Sequence, residues 1–135
     1  MRELFHYWGP VCAYAGLIFY LSSQPHPEER LPSFVWLFGD KVLHGVEYAI
    51  LGGLFYRAFR WGANEVVRPW AALLAVLATS LYGLSDEIHQ AFVPNRESNV
   101  LDWLADSMGA VLGVVTVRGL PRWWPKNLML EPRRR

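Results

Sequence analysis

The sequence predicts an all-α membrane protein, a bundle of four transmembrane helices with both termini in the cytoplasm. Hydrophobic residues make up 53% of the 135-residue chain and charged residues only 19%, which is not the balance of an ordinary soluble domain. Four segments approach the length of about 20 mostly apolar residues that a helix needs to cross a bilayer. The polar residues cluster between these apolar segments.

The four predicted spans lie at about 4–21, 42–59, 70–92 and 100–117, and a basic tail occupies 118–135. All 135 residues are assigned to one domain, because the chain is too short to expect two. The first span has aromatic residues near both ends and is followed by no small-x-small cleavage site, so we expect a retained helix and not a signal peptide. Pro25, Pro27 and Pro32 predict a loop after it.

Residues with special backbone roles mark the ends of the later spans. Pro69 can open the third span without losing a needed hydrogen-bond donor, and Pro94 stops it. Asn99 is predicted to cap the fourth span, with Asp102 three residues later completing a capping box. Small residues that permit close helix packing occur in the second and fourth spans, at Gly52, Gly53, Gly109 and Gly113.

Lysine and arginine residues predict the orientation of the bundle. With four spans, ten of the 13 basic residues fall on the side of the two termini, and three, Arg30, Lys41 and Arg96, fall on the other side. We expect the richer side to face the cytoplasm. The start of the second span, the end of the third and the start of the fourth then meet at the outer face.

Most of the informative polar residues lie at these three helix ends. Three sets spaced by four residues each share a helical face: Asp40, His44 and Tyr48; Asp86 and Gln90; Asp102 and Asp106. At 1.5 Å per residue, Asp106 lies roughly 10 Å into its helix, too deep for an end cap. His89 is a weaker candidate than His44, because it points about 100° away from its acidic neighbour on the helix. Charged groups at such depths usually pair with one another and often mark a site.

Three interpretations of this polar layer stay open, and the first two need no metal. In the first, the acids pair with Arg96, Lys41 and His44 and lock the outer helix ends together, with no ligand. In the second, the guanidinium of Arg96 clamps an anion such as a lipid head group or a cell-wall precursor. The candidate ligand-binding residues are Arg96, Gln90, Asp102, Lys41 and Tyr48.

In the third interpretation, several acids with His44 or His89 hold a divalent cation, so a cation is a possible cofactor and the actual one stays open. Carboxylates suit magnesium, calcium or manganese, and histidine adds zinc-like character. A metal beside Arg96 would allow phosphoester hydrolysis or phosphoryl transfer on a lipid head group. The candidate metal ligands are Asp40, His44, Asp86, Glu87, Asp102 and Asp106, and the candidate catalytic residues are Asp40, His44, Asp86, Glu87 and Asp106.

Other functional classes have little support in the sequence. It contains no HExxH motif, no GxSxG nucleophile elbow and no glycine-rich phosphate loop. The net charge of +1 gives no bulk attraction to nucleic acid. The residues therefore indicate a site without naming a reaction.

Three motifs make the chain resemble the VanZ-like family of small bacterial membrane proteins. They are Ser22-Ser23-Gln24-Pro25, Asp40-Lys41-x-x-His44 and Asp86-Glu87-x-x-Gln90-x-Phe92-x-Pro94-x-Arg96-x-Ser98-x-x-x-Asp102, the last continuing to Gly109. The resemblance covers nearly the whole chain apart from the tail. The family often has asparagine where this sequence has Asp106, so this chain carries an added negative charge there. The family is associated with low-level resistance to the glycopeptide antibiotic teicoplanin.

The resemblance implies a role in the cell envelope and supports the polar layer as a site. We therefore expect a multi-pass protein of the bacterial cytoplasmic (inner) membrane, with an outward-facing polar pocket for an anionic lipid-linked or cell-wall-related ligand. The expected partners are membrane lipid and a lipid-linked cell-wall precursor or lipoglycopeptide. A role in teicoplanin resistance is implied by the resemblance alone. The alternatives are a metal-assisted phosphotransferase or hydrolase and a structural membrane module with no ligand.

Overall fold

The computed structural model describes residues 2–25 and 39–120. The described residues form the helices α1 (Arg2–Ser22), α2 (Asp40–Trp61), α3 (Ala71–Gln90) and α4 (Val100–Gly119), and a 3-10 turn at Arg68–Trp70 leads into α3. They contain no strand, which confirms the all-α class. Most of the predicted loop after α1 and nearly all of the basic tail lie outside the described residues.

Helix α2 is the centre of the bundle and packs against each of the other three helices. Its most extensive contact is with α4, where small residues let the two backbones touch. A side chain at Gly109 would overlap the backbone of Gly45, and one at Gly113 would overlap the backbone of Ala49. We define the glycine seam as the residues of this contact: Gly45, Ala49 and Gly52 on α2, and Gly109, Ala110 and Gly113 on α4. The seam fixes the register of α4 along α2.

Helix α1 lies along α2 and α3 and is held by aromatic packing and a hydrogen bond. Near its start, the Trp8 ring meets the Phe59 ring edge-on, with 5.1 Å between centroids. Further along, the Tyr82 hydroxyl of α3 donates a hydrogen bond of 2.6 Å to the carbonyl of Ala15. The start of α1 is therefore beside the end of α2, and the two helices run antiparallel.

The described helices bury polar groups and expose large apolar ones. Buried side chains include His44, Asp86, Glu87, Gln90, Asp102 and Asp106. Every helix also carries exposed apolar residues, such as Leu17 on α1, Ile50 on α2, Leu81 on α3 and Leu112 on α4. Large exposed apolar surfaces need an apolar environment or a partner. The distribution is that expected of a bundle surrounded by lipid.

Two segments of the described chain, Arg68–Gln90 and Val100–Gly119, are long and apolar enough to cross a membrane. Helices α1 and α2 do not meet the same test. Helix α2 carries charged residues at positions 40, 41, 47, 57 and 60, which lower its mean hydropathy. The two apolar helices indicate a membrane protein, and the four-span topology with cytoplasmic termini stays a prediction.

Candidate functional site

Three helix ends meet on one side of the bundle: the start of α2, the end of α3 and the start of α4. The Glu87 carboxylate of α3 accepts a hydrogen bond of 2.7 Å from the backbone N–H of Asn99, which precedes α4. Asp102 of α4 forms an ion pair with Lys41 of α2. We define the polar cluster as the side chains gathered at this end: Asp40, Lys41, His44, Asp86, Glu87, Gln90, Asp102 and Asp106.

Asp106 is the deepest acid of the polar cluster and is fully buried. Its Oδ1 lies 3.0 Å from Nδ1 of His44. Gly83 of α3 makes room for it, because a Cβ at Gly83 would lie 3.0 Å from Oδ2 of Asp106. Among the described residues, that Oδ2 has no hydrogen-bond partner. A buried carboxylate oxygen without a donor is destabilising, so packing alone does not account for Asp106.

Glu87 lies close to His44 and Asp106, and the three side chains form an arrangement that would fit a cation. One ligand atom from each of the three side chains lies within 4.8 Å of the others. We define His44, Glu87 and Asp106 as the inner triad. Ligand atoms on opposite sides of a divalent ion are roughly 4–5 Å apart, so one ion can reach all three. Glu87 Oε1, like Asp106 Oδ2, is buried and has no partner in the described chain.

An outer triad of Asp40, His44 and Asp102 has the same ligand spacing, within 4.8 Å. His44 belongs to both triads, because its Nε2 faces Asp40 Oδ1 at 4.0 Å while its Nδ1 faces Asp106. The outer triad is closer to solvent, since the Asp40 side chain is 58% exposed. Asp102 in this triad is already paired with Lys41.

The predicted cap at Asn99 is confirmed, and the predicted role of Asp102 in a capping box is wrong. Asn99 does cap α4, since its side-chain oxygen accepts a hydrogen bond of 2.9 Å from the N–H of Leu101. The Asp102 carboxylate, however, turns to Lys41, and Glu87 of α3 accepts the Asn99 N–H in its place. The hydrogen bond to Asp102 raises the pKa of Lys41, which precedes the predicted second span.

Asp86 lies in the polar cluster but in neither triad. Its Oδ2 accepts a hydrogen bond of 2.9 Å from Gln90 Nε2, as their shared helical face predicts. Tyr48 is fully buried, and its hydroxyl has no partner among the described residues. Its ring lies beside Asp106, because both side chains pack against Gly83.

Arg96, the predicted anion clamp, lies in the connection between α3 and α4 and is half-buried. Asn95 before it adopts a left-handed conformation (φ 61°), and the Arg96 N–H donates to the carbonyl of Val93 at 3.2 Å. The guanidinium forms no ion pair with any described acid, and its Nε is buried without a partner. The pairing of Arg96 with the acids of the cluster, which the structural interpretation requires, is therefore not observed in the described chain.

Glu47 is a candidate that the sequence analysis missed. It lies on α2 one turn beyond His44 and is partly buried. Its carboxylate interacts electrostatically with groups from α2, α3, α4 and the α3–α4 connection: His44, Asp86, Asp106 and Arg96. Two signals could have found it, since Glu47 shares a face with His44 at i+3 and a carboxylate within an apolar run is costly.

Two other described histidines lie outside the polar cluster. His89 faces α1 and stacks on Phe19 with 4.6 Å between ring centroids. His6 lies at the opposite end of the bundle, where its Nε2 is 2.8 Å from a guanidinium nitrogen of Arg57. Neither histidine contributes a ligand atom to the two triads.

The polar cluster holds more acids than bases. Its buried carboxyl groups belong to Asp86, Glu87, Asp102 and Asp106, and the basic groups in contact with them are Lys41 and His44. Buried carboxylates without compensating positive charge are destabilising. The arrangement therefore suits protonation of some acids or a bound cation, while Arg96 beside it offers a donor to an anion.

The chain matches the protein-family model described as VanZ/LLP1 over residues 7–121. The matched range contains most of α1, all of α2, α3 and α4, and the whole polar cluster with Arg96. No curated protein and no solved structure matches this chain.

Proposed function

Because the chain belongs to the VanZ/LLP1 family, we propose that it is a four-span protein of the bacterial inner membrane that binds an anionic ligand in an outward-facing polar pocket. Family membership and the two apolar helices indicate a membrane protein. The exposed apolar side chains of α1 and α2, such as Leu17 and Ile50, support crossing by these two helices as well. Lipid would then cover the apolar outside of all four helices.

The direction of the pocket follows from the basic residues. The polar cluster lies on the same side as Lys41 and Arg96, the side that is poor in lysine and arginine. The richer side carries the start of α1, the end of α4 and the connection between α2 and α3. Positive-inside topology assigns that richer side to the cytoplasm. The pocket then opens toward the outer leaflet.

The guanidinium of Arg96 is the observation that carries the anion proposal. Lys41 is paired with Asp102, whereas the half-buried Arg96 has no acid within ion-pair distance in the described chain and interacts only at longer range with Glu47. A guanidinium matches a phosphate or carboxylate through two parallel hydrogen bonds. A phosphate-bearing lipid or lipid-linked cell-wall intermediate fits this donor at a membrane surface. The teicoplanin association of VanZ-like proteins, carried over by family alone, favours the same class of ligand.

The test is anionic lipid binding by the purified full-length protein in detergent, measured by native mass spectrometry. We expect phosphatidylglycerol to bind more tightly than phosphatidylcholine. Hydrogen bonds to a charged group contribute about 1.5–3 kcal/mol. We therefore expect Arg96→Gln, which loses them, to bind phosphatidylglycerol about tenfold more weakly or worse. The affinity of Arg96→Lys for phosphatidylglycerol should lie between those of the unaltered protein and Arg96→Gln, because lysine keeps the charge but loses the bidentate geometry.

Arg118→Gln is the matched control for that experiment. Arg118 is exposed in the last turn of α4, at the other end of the bundle, so its loss removes the same charge away from the pocket. We expect Arg118→Gln to bind phosphatidylglycerol like the unaltered protein. Equal binding by Arg96→Gln and Arg118→Gln would contradict an anion site at Arg96.

The inner triad favours a second candidate function, metal-assisted hydrolysis or transfer of a phosphoester on a lipid head group. A metal held by His44, Glu87 and Asp106 would supply Lewis-acid chemistry next to the anion at Arg96. This candidate requires the metal that is argued below, whereas anion binding does not.

A further inference from the structure

The distance between His44 and Asp106 has two physical explanations. Their closest atoms, Nδ1 and Oδ1, are 3.0 Å apart, which fits a direct hydrogen bond. Two adjacent ligands at about 2.1 Å from an octahedral ion are also roughly 3.0 Å apart. The pair could therefore accept an ion between its atoms and Glu87 with little movement.

The remaining carboxylate oxygens favour the second explanation. If His44 and Asp106 form only a hydrogen bond, Oδ2 of Asp106 and Oε1 of Glu87 are left without donors in the described chain. Both residues are deeply buried, at 0% and 4% exposure. Native proteins seldom leave such atoms unpaired unless a water, an ion or a function accounts for them. A cation supplies what both carboxylates lack.

From this geometry we infer that His44, Glu87 and Asp106 bind one divalent transition-metal ion. A charge of +2 balances the carboxylates of Glu87 and Asp106, which no described basic side chain other than His44 contacts. This inference goes beyond the proposed function, because it requires neither an anion nor a reaction. The ion would also link three of the four described helices, because each of α2, α3 and α4 provides one ligand.

Asp40 is placed to orient the His44 ring for binding this ion. Its carboxylate lies on the Nε2 side of the His44 ring, 4.0 Å away, while Nδ1 faces the inner triad. A metal-bound histidine usually donates its other N–H to a carboxylate, which fixes the tautomer and orients the ring. The 58% exposure of the Asp40 side chain leaves it free to close that gap.

The ligand set selects among metals. Carboxylates suit manganese as well as magnesium and calcium, whereas an imidazole nitrogen suits zinc and other transition metals and is a poor ligand for magnesium or calcium. One imidazole with two carboxylates therefore predicts binding of Mn²⁺ or Zn²⁺ in preference to Mg²⁺. The outer triad competes poorly for the same ion, because Asp102 is paired with Lys41.

The experiment measures metal bound to the purified full-length protein in detergent. The protein is stripped with chelator, incubated with Mn²⁺ or Zn²⁺, passed through gel filtration and analysed by inductively coupled plasma mass spectrometry. We expect about one ion per chain, with no displacement by Mg²⁺ at equal concentration. Asp106→Asn and His44→Gln should each reduce occupancy more than tenfold, and Asp40→Asn should weaken affinity about 10- to 100-fold.

Asp86→Asn is the matched control, because it removes a buried carboxylate of the same cluster that belongs to neither triad. It should keep full occupancy, and circular dichroism must show that every variant is folded. Pulsed electron paramagnetic resonance of bound Mn²⁺ should show coupling to an imidazole nitrogen in the unaltered protein and none in any residual Mn²⁺ bound to His44→Gln. Folded protein without bound metal, or equal loss in Asp86→Asn and Asp106→Asn, would overturn the site.

Discussion

The contact between α2 and α4 has two halves of opposite character. In the glycine seam, backbone packs against backbone, as where Gly113 meets Ala49. In the polar cluster, the same two helices bury His44 and Asp106, and one Asp106 oxygen has no hydrogen-bond partner among the described residues. The first half is built for close packing, and the second retains groups that cost stability. The proposed binding role predicts such a contrast within one interface, because residues kept for function often cost stability.

The largest expected effect would come from breaking the seam. Gly113→Ala places a methyl group against the Ala49 backbone, which cannot move aside without separating α2 from α4. Overpacking of this kind typically costs about 1–3 kcal/mol and occasionally more. We expect a clear fall in the thermal unfolding temperature in detergent, measured by circular dichroism.

Gly16→Ala is the control for that variant, because a methyl group at Gly16 meets nothing within 4 Å. It should leave the unfolding temperature unchanged or raise it, since alanine favours a helix more than glycine does. If Gly113→Ala unfolded at the same temperature as the unaltered protein, the proposed contrast between the two halves of the interface would be contradicted.

A smaller effect is expected at the edge of the polar half. Asn99→Ala removes the side-chain cap of α4 but leaves the backbone N–H that Glu87 accepts. Loss of an N-cap costs about 1 kcal/mol. Ser98→Ala, at an exposed neighbouring position, should have almost no effect in the same thermal unfolding assay. If Asn99→Ala were as damaging as Gly113→Ala, the polar half would be as essential to stability as the seam.

The helices could be predicted closely from the sequence, because long apolar runs fix them with little help from tertiary structure. The predicted spans at 42–59 and 100–117 correspond to α2 at Asp40–Trp61 and α4 at Val100–Gly119. Pro94 was expected to stop the third span, but α3 already ends at Gln90. Tight turns replace the α-helical pattern from that point, because the N–H groups of Phe92 and Val93 donate to the carbonyls of His89 and Gln90, three residues earlier.

The candidate site could be predicted only in part, because side-chain partners depend on the register between helices. Spacing by four residues correctly joined Asp86 to Gln90 within one helix. It could not reveal that Lys41 on α2 reaches Asp102, which turned an expected capping residue into an ion-pair partner. That register is set by the glycine seam, and no local pattern specifies which glycine of α4 meets which residue of α2.

The metal and the anion, if both bind, should support each other. An anion at Arg96 would lie close to the carboxylates of the polar cluster, which repel it. A divalent ion in the inner triad would offset that negative charge. The acids of the cluster and the half-buried guanidinium are therefore compatible at one end of the bundle.

The most direct test of the contrast is the thermal stability of Glu87→Gln with and without metal. In excess chelator we expect the variant to unfold at the same temperature as the unaltered protein or higher. The reason is that it loses a buried charge while its amide oxygen still accepts the Asn99 N–H. With Mn²⁺ at 100 times its dissociation constant, the unaltered protein should gain about 2.7 kcal/mol and the variant almost nothing. A chelated variant destabilised by about 3–5 kcal/mol, as when a buried ion pair is broken, with no response of either protein to Mn²⁺, would contradict the account. It would show that the polar cluster only locks the helices together.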